Sequence, residues 1–172
     1  ADLVVGKVLD GRGDGTVNAM LAGIRWVLQE RDRLGIRILN VSVGVSGQMD
    51  ADREKVLKEM LESAWQKGLA VVCAAGNNGP AENSLSDFDM LELPGGMPGT
   101  SHLAGSSVVA EQCRAFAADP HKWVAAICAA PSVLASLGLL QGRNATCHPL
   151  FEQQLTGAAV THEGVTVDGN II

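Results

Sequence analysis

Cys128 is the residue of this 172-residue chain best placed to do chemistry. It follows the apolar run Trp123-Val124-Ala125-Ala126-Ile127 and precedes Ala129-Ala130-Pro131 and a helical pattern, so it falls at a strand-to-helix elbow. The backbone N–H groups and dipole of a helix N-terminus favour a thiolate over a thiol, and small neighbours permit close approach. The chemistry this supports is nucleophilic attack by sulfur. Cys73, Cys113 and Cys147 show no C-x-x-C spacing with it or with each other, so neither a zinc site nor a redox dithiol is implied. Gly11, Gly13 and Gly15 lie between an apolar run and a helix, where a dinucleotide fingerprint would lie. The pattern is G-x-G-x-G with Thr16 in place of a later glycine, and the run Arg37 to Val43 leads into Gly44 with no acid at its end, so NAD is not implied. These glycines predict a βα loop in which Thr16 or Asp14 caps the next helix.

Short β-rich runs alternate with helical stretches, which is the α/β pattern. Val4 to Leu9, Arg37 to Val43, Leu69 to Ala74, Met90 to Leu93 and Trp123 to Ile127 are nearly continuous apolar runs, as parallel strands covered on both faces require. Asn144 to Cys147 and Val165 to Val167 are weaker strand candidates. Val17, Met20, Leu21, Ile24, Val27 and Leu28 recur at helical spacing and predict a one-faced helix over Thr16 to Leu34, stopped by Gly35. Val56, Leu57, Met60, Leu61 and Ala64 predict a second, capped by Asp50 or Asp52 and ended by Gly68. Val109, Cys113 and Phe116 mark a third helix, and Val133, Leu134 and Leu137 a fourth that begins at Pro131. Only Asn77 to Asp87 is a long stretch without period, and a seam is expected there.

The apolar fraction is 47% and the charged fraction 19%, those of an ordinary globular chain, and no run reaches the ~18 apolar residues of a membrane span. A chain this long buries roughly 70% of its unfolded surface and needs no staple. The net charge of −6 lacks the positive field that drives non-specific nucleic-acid binding. Ala1-Asp2-Leu3 shows no export signal, so the reducing cytoplasm is the expected compartment.

Two resemblances share the chain. K-V-L-D-G-R-G-D-G, A-G-I-R-W-V, I-L-N-V-S-V-G and A-V-V-C-A-A-G-N-N-G-P, within about residues 4–80, resemble subtilisin-like serine proteases between their catalytic histidine and serine. L-P-G-G-M-P-G, V-A-A-I-C-A-A-P, A-T-C-H-P-L-F and V-T-V-D-G-N-I-I, within about residues 87–172, resemble the ThiJ/PfpI family of cysteine-dependent enzymes, which is class I glutamine-amidotransferase-like. The first resemblance implies a vestigial oxyanion donor at Asn77 and a substrate-backbone segment at Ser42-Val43-Gly44. All three triad motifs are missing, and Gly99-Thr100-Ser101 is better explained by the second resemblance. An oxyanion donor without a nucleophile stabilises nothing that forms.

The second resemblance implies that Cys128 is a vestigial nucleophile, with backbone donors near Gly95, Gly96 and Ala129. The family's Glu from the loop after its first strand has no counterpart here. Ala129 stands where the peptidase-like branch has a histidine, which leaves His148 as the local base. A closing T-x-x-G-P-G turn and final helix of the family are also not found after Ile172, which puts the site's far wall and the family's dimer contacts in question.

The combined expectation is an α/β, three-layer αβα sandwich with a doubly wound, mainly parallel sheet of the flavodoxin-like or Rossmann-like kind. It is one domain over 1–172, built of a subtilase-derived fragment, 1–82, and a ThiJ/PfpI-derived fragment, 83–172. Asp10, Gly44, Asn77, Gly95 and Cys128 should then gather at one edge. The reading is an engineered chimera with no selected biological function. The alternatives are a weak ThiJ/PfpI-type hydrolase or glyoxalase-like enzyme, and a small-molecule binding module in the strand-end crevice. No cofactor, metal, nucleic acid or membrane is implied; a homo-oligomer is the partner class left open.

Overall fold

The computed structural model describes residues 2–43, 49–74 and 88–172. The chain divides into two compact units, Ala1–Gly79 and Pro80–Ile172, each with its own hydrophobic core. The break falls inside the stretch expected to hold the seam, which lies outside the described residues, as do Gly44 and Asn77.

The first unit is built on α1 (Val17–Leu34), β1 (Ile38–Val41), α2 (Ala51–Gln66) and β2 (Ala70–Cys73). Thr16, not Asp14, caps α1: its Oγ1 accepts the Ala19 N–H at 3.1 Å. Gly35 ends the helix at φ 63°, a left-handed conformation that glycine adopts without a Cβ penalty. Asp50, not Asp52, caps α2 by accepting the Arg53 N–H at 2.9 Å. β1 and β2 pair in parallel with Ile38 opposite Ala70, and α2 is the crossover between them. Met20, Ile24, Leu39, Ala64 and Leu69 form the buried core.

The expected strand Val4 to Leu9 does not form. Leu3, Val4 and Val5 are exposed, and no strand among the described residues pairs with this run. A both-faces-buried strand requires such a neighbour, because its stability comes from ladder bonds and from cover on each face. Instead Leu9 forms an antiparallel bridge with Gly15 across a tight turn. In that turn one Asp10 carboxylate oxygen accepts the N–H groups of Arg12 and Asp14 at 2.8 and 3.0 Å. A Cβ on Gly15 would sit 2.6 Å from Leu9 Cδ2 and 2.8 Å from the Val8 carbonyl oxygen. The glycine cluster thus serves a hairpin-like turn.

The second unit comprises β3 (Met90–Leu93), α3 (Gly99–Ala104), α4 (Ser107–Ala118), β4 (Trp123–Ala126), α5 (Pro131–Ser136), β5 (Asn144–Ala145), a 3-10 helix (Pro149–Gln154) and β6 (Ala159–Val160). β3 and β4 run parallel with Met90 opposite Trp123, as do β5 and β6. On β4's other ladder, Val124 and Ala126 donate to the carbonyls of Asn170 and Ile172 at 3.0 Å each, so the C-terminal residues extend the pairing. The core packs Leu93, Cys113, Phe116, Val124, Val133, Leu134 and Leu140. Val165 to Val167 forms no strand; the pairing moves to the bridges Asp168–Ile171 and Val124–Ile171.

Candidate functional site

β4 delivers the chain to Cys128, and its parallel partner β3 delivers Pro94-Gly95-Gly96 to the same end. Cys128 has φ 61°, one of two positive-φ non-glycine residues among those described. A side chain held in the left-handed region costs roughly 1–2 kcal/mol and persists only where the surroundings over-determine it. Here three contacts do so. Ile127 donates to the Leu93 carbonyl at 3.2 Å, Ala130 donates back to the Ile127 carbonyl at 3.0 Å, and His148 donates its backbone N–H to the Cys128 carbonyl at 2.9 Å. The elbow expected from the sequence is thus a strained turn followed by α5 with Pro131 at its start.

Gly95 is pressed against this turn. A Cβ there would lie 2.5 Å from Cys128 Cβ, 2.7 Å from the Ile127 carbonyl oxygen and 3.3 Å from Cys128 Sγ. Only glycine fits that approach. Gly96, at φ 96°, is pinned through its carbonyl, which accepts the Thr100 N–H at 2.9 Å and the Thr100 Oγ1 hydroxyl at 3.0 Å. Thr100, buried at the start of α3, holds the glycine loop in place, and only the G-x-x-G-T spacing hints at it. Ala129 and Ala130 are buried, whereas Cys128 is exposed at the turn.

Cys128 opens on a cleft of about 310 Å³. Ile127, Pro131, Leu134 and Val165 contribute apolar wall, while Glu92, Glu163 and Cys147 contribute groups that move protons or react. Nothing in the sequence pattern marks Glu92 or Glu163. Glu92 reaches the cleft by strand alternation on β3, and Glu163 by a loop whose carbonyl accepts from Thr146 Oγ1 at 2.8 Å. His148 meets Cys128 through its backbone; its ring Nδ1 accepts the Leu150 N–H at 3.3 Å, capping the 3-10 helix, and the ring is not among those lining the cleft. Burial pushes the Cys113 thiol up to about 11, against a smaller pull from Arg114. Burial also raises Cys73, and burial, then Glu152, then Cys128 raise Cys147.

The V-T-V-D-G-N-I-I run has a structural role. The Asn170 amide lies 3.0 to 3.2 Å from the carbonyl oxygens of Phe116, Ala117, Asp119 and Lys122, covering the C-terminus of α4. Asp168 accepts the Asn144 N–H at 2.8 Å and pairs with Arg143, whose Nη1 donates to the Asp168 carbonyl.

The DJ-1/PfpI family profile matches residues 27–172. The chain belongs to the DJ-1/PfpI family. Protein DJ-1 homolog B of Arabidopsis thaliana is 29% identical over 170 residues, taking in 81% of this chain and 39% of that protein. The solved structure of Drosophila melanogaster DJ-1beta superposes with a TM-score of 0.50 at 26% identity, covering 79% of this chain and 77% of that one. The fold shared with the DJ-1/PfpI family is the flavodoxin-like α/β fold expected from the sequence. The subtilisin resemblance is also found: serine protease AprX of Bacillus subtilis is 32% identical over 96 residues, 54% of this chain and 22% of that protein. The chain spans half or less of the length of the curated relatives it matches. No helix among the described residues is long and apolar enough to cross a membrane.

Proposed function

We propose that the chain carries a ThiJ/PfpI-type cysteine site in which Cys128 attacks small reactive carbonyls such as glyoxals, or small esters. The observation that supports this most is the φ of 61° at Cys128, a strained nucleophile elbow whose sulfur faces a cleft. In the glyoxal reaction the thiolate adds to the aldehyde carbon, and the new oxyanion takes hydrogen bonds from backbone N–H groups of Ala129 and of the Gly95-Gly96 loop. A proton then moves from the thiohemiacetal carbon to its neighbour, leaving a thioester. Water hydrolyses it, releasing a 2-hydroxy acid and the thiol. Glu92 and Glu163 line the cleft and stand in for the missing loop Glu as proton carriers, whereas the His148 ring, engaged as a helix cap, takes no part. The test is methylglyoxal consumption with lactate formation by the purified protein and by Cys128→Ser. Turnover that the substitution abolishes supports the reading; equal rates in both would overturn it.

A second reading is that of recombined fragments without selected activity. It is supported by the unit boundary at Gly79–Pro80, which falls at the end of the last subtilisin-like motif and ahead of the first ThiJ/PfpI-like motif, and opposed by the family profile, which already matches from residue 27. Absence of turnover in a folded protein whose Cys128 still alkylates would support it. A binding module would retain small carbonyls in the cleft without converting them.

A further inference from the structure

Two of the four cysteines, Cys128 and Cys147, line the same cleft. They are fixed to each other through the backbone, because the peptide N–H that follows Cys147 is the one donated to the Cys128 carbonyl at 2.9 Å. Covalent geometry then holds the two Cα atoms within roughly 8 Å of each other, close to the ~4.4–6.8 Å window in which a disulfide closes. Cys147 Sγ is held by a single weak bond to the His148 carbonyl, at 3.3 Å, and a rotation about one torsion frees it.

We propose that Cys147 is the resolving thiol for an oxidised Cys128, so that the cleft closes an internal disulfide when it meets a hydroperoxide. This goes beyond the carbonyl chemistry and does not depend on it. The exposed Cys128 thiolate attacks one peroxide oxygen; the S–O bond forms, the O–O bond breaks, and hydroxide leaves and is protonated to water. Sulfur is oxidised by two electrons and the peroxide is reduced. The Cys147 thiolate then attacks the sulfenic sulfur, the S–S bond forms, and the S–O bond breaks. The departing hydroxide takes up the proton Cys147 has shed and leaves as water. Cys128 reacts first because it is exposed, whereas Cys147 is partly covered. Burial, Glu152 and the charge of Cys128 all hold the proton on Cys147. Conversion of Cys128 to a neutral sulfenic acid removes the last of these, so the resolving thiol ionises more readily once there is something to resolve. Glu152 is itself engaged with His162 Nδ1 at 3.0 Å.

Trypsin separates the two sulfurs, since cleavage after Lys122 and Arg143 leaves Cys128 on the peptide ending at Arg143 and Cys147 on the C-terminal peptide. After a brief exposure of the full chain to a small excess of hydrogen peroxide, these two peptides should be joined in monomeric protein and separated by dithiothreitol. Cys147→Ser should show no joined peptide and instead accumulate over-oxidised Cys128, several-fold faster than the parent chain. Cys128→Ser should show neither product. Circular dichroism of both variants establishes that they fold. The proposal is overturned by equal over-oxidation of Cys128 with and without Cys147, by bridging of Cys128 to Cys73 or Cys113, or by a joined peptide found only in a disulfide-linked dimer.

Discussion

At the residue scale the chain concentrates strain and reactivity at one place. Cys128 holds a left-handed backbone that a glycine would hold at no steric cost, so Cys128→Gly is expected to stabilise the second unit by about 1 kcal/mol while removing the nucleophile. Urea unfolding monitored through Trp123 measures the gain. Gly95→Ala should act in the other direction. Its Cβ would press on Cys128 Cβ and the Ile127 carbonyl, atoms of a fixed turn, at a cost of roughly 1–3 kcal/mol, and iodoacetamide labelling of Cys128 should change with it. In the parent chain limiting iodoacetamide should label Cys128 first and Cys113 last, ranked by peptide mass spectrometry. Cys128 is exposed, whereas Cys113 is buried and keeps its proton up to about 11. Because the folded value of Cys113 lies above its ordinary 9.0, the unfolded chain loses that proton first as pH rises. Stability should therefore be full below pH 9, fall between pH 9 and about 11, and fall no further from this group beyond that. Melting curves across that window check the slope, and Cys113→Ala should flatten it.

At the scale of elements, helix ends were legible where a single side chain makes them. Thr16, Gly35 and Asp50 act at the positions their types suggest, because a cap is a local hydrogen bond or a local φ. The C-terminus of α4 was not legible in this way. Its last carbonyls meet the Asn170 amide, whose sequence separation from Phe116 is 54 residues, and no local pattern encodes a partner so distant. Asn170→Ala should remove the donor these carbonyls share and cost about 0.5–1.5 kcal/mol, seen as a lower urea midpoint for the second unit. Val4 to Leu9 illustrates the opposite failure. Its apolar run has the composition of a buried strand, yet a strand exists only where another strand offers its ladder, and the nearby turn at Asp10 captures Leu9 instead.

At the scale of the whole molecule, each unit carries its own core, and the tryptophans divide between them, Trp26 and Trp65 in the first and Trp123 in the second. The single-domain reading predicts one cooperative transition, with single-tryptophan variants of either unit reporting the same urea midpoint. Midpoints that separate would replace it with two independently folding units. No peptidase activity is expected on casein or a fluorogenic peptide, because a triad needs three elements and none of the subtilisin triad motifs is present. Hydrolysis abolished by a serine-directed inhibitor would contradict this.

The α/β alternation, α1 with its stop at Gly35, and the elbow at Cys128 are all legible in the residues alone, because they follow from short-range periodicity and from residue types with strong local preferences. The sequence also carried the motifs of the family to which the chain belongs. Tertiary structure alone decided that β3 and β4 are parallel neighbours, and so that Gly95 touches Cys128 across 33 residues of chain. It decided, too, that Glu92, Cys147 and Glu163 share the cleft with that thiol, while the His148 ring caps a helix. These are meetings between distant segments. They depend on which strand finds which ladder, a choice made by burying whole faces at once and written in no single stretch of residues.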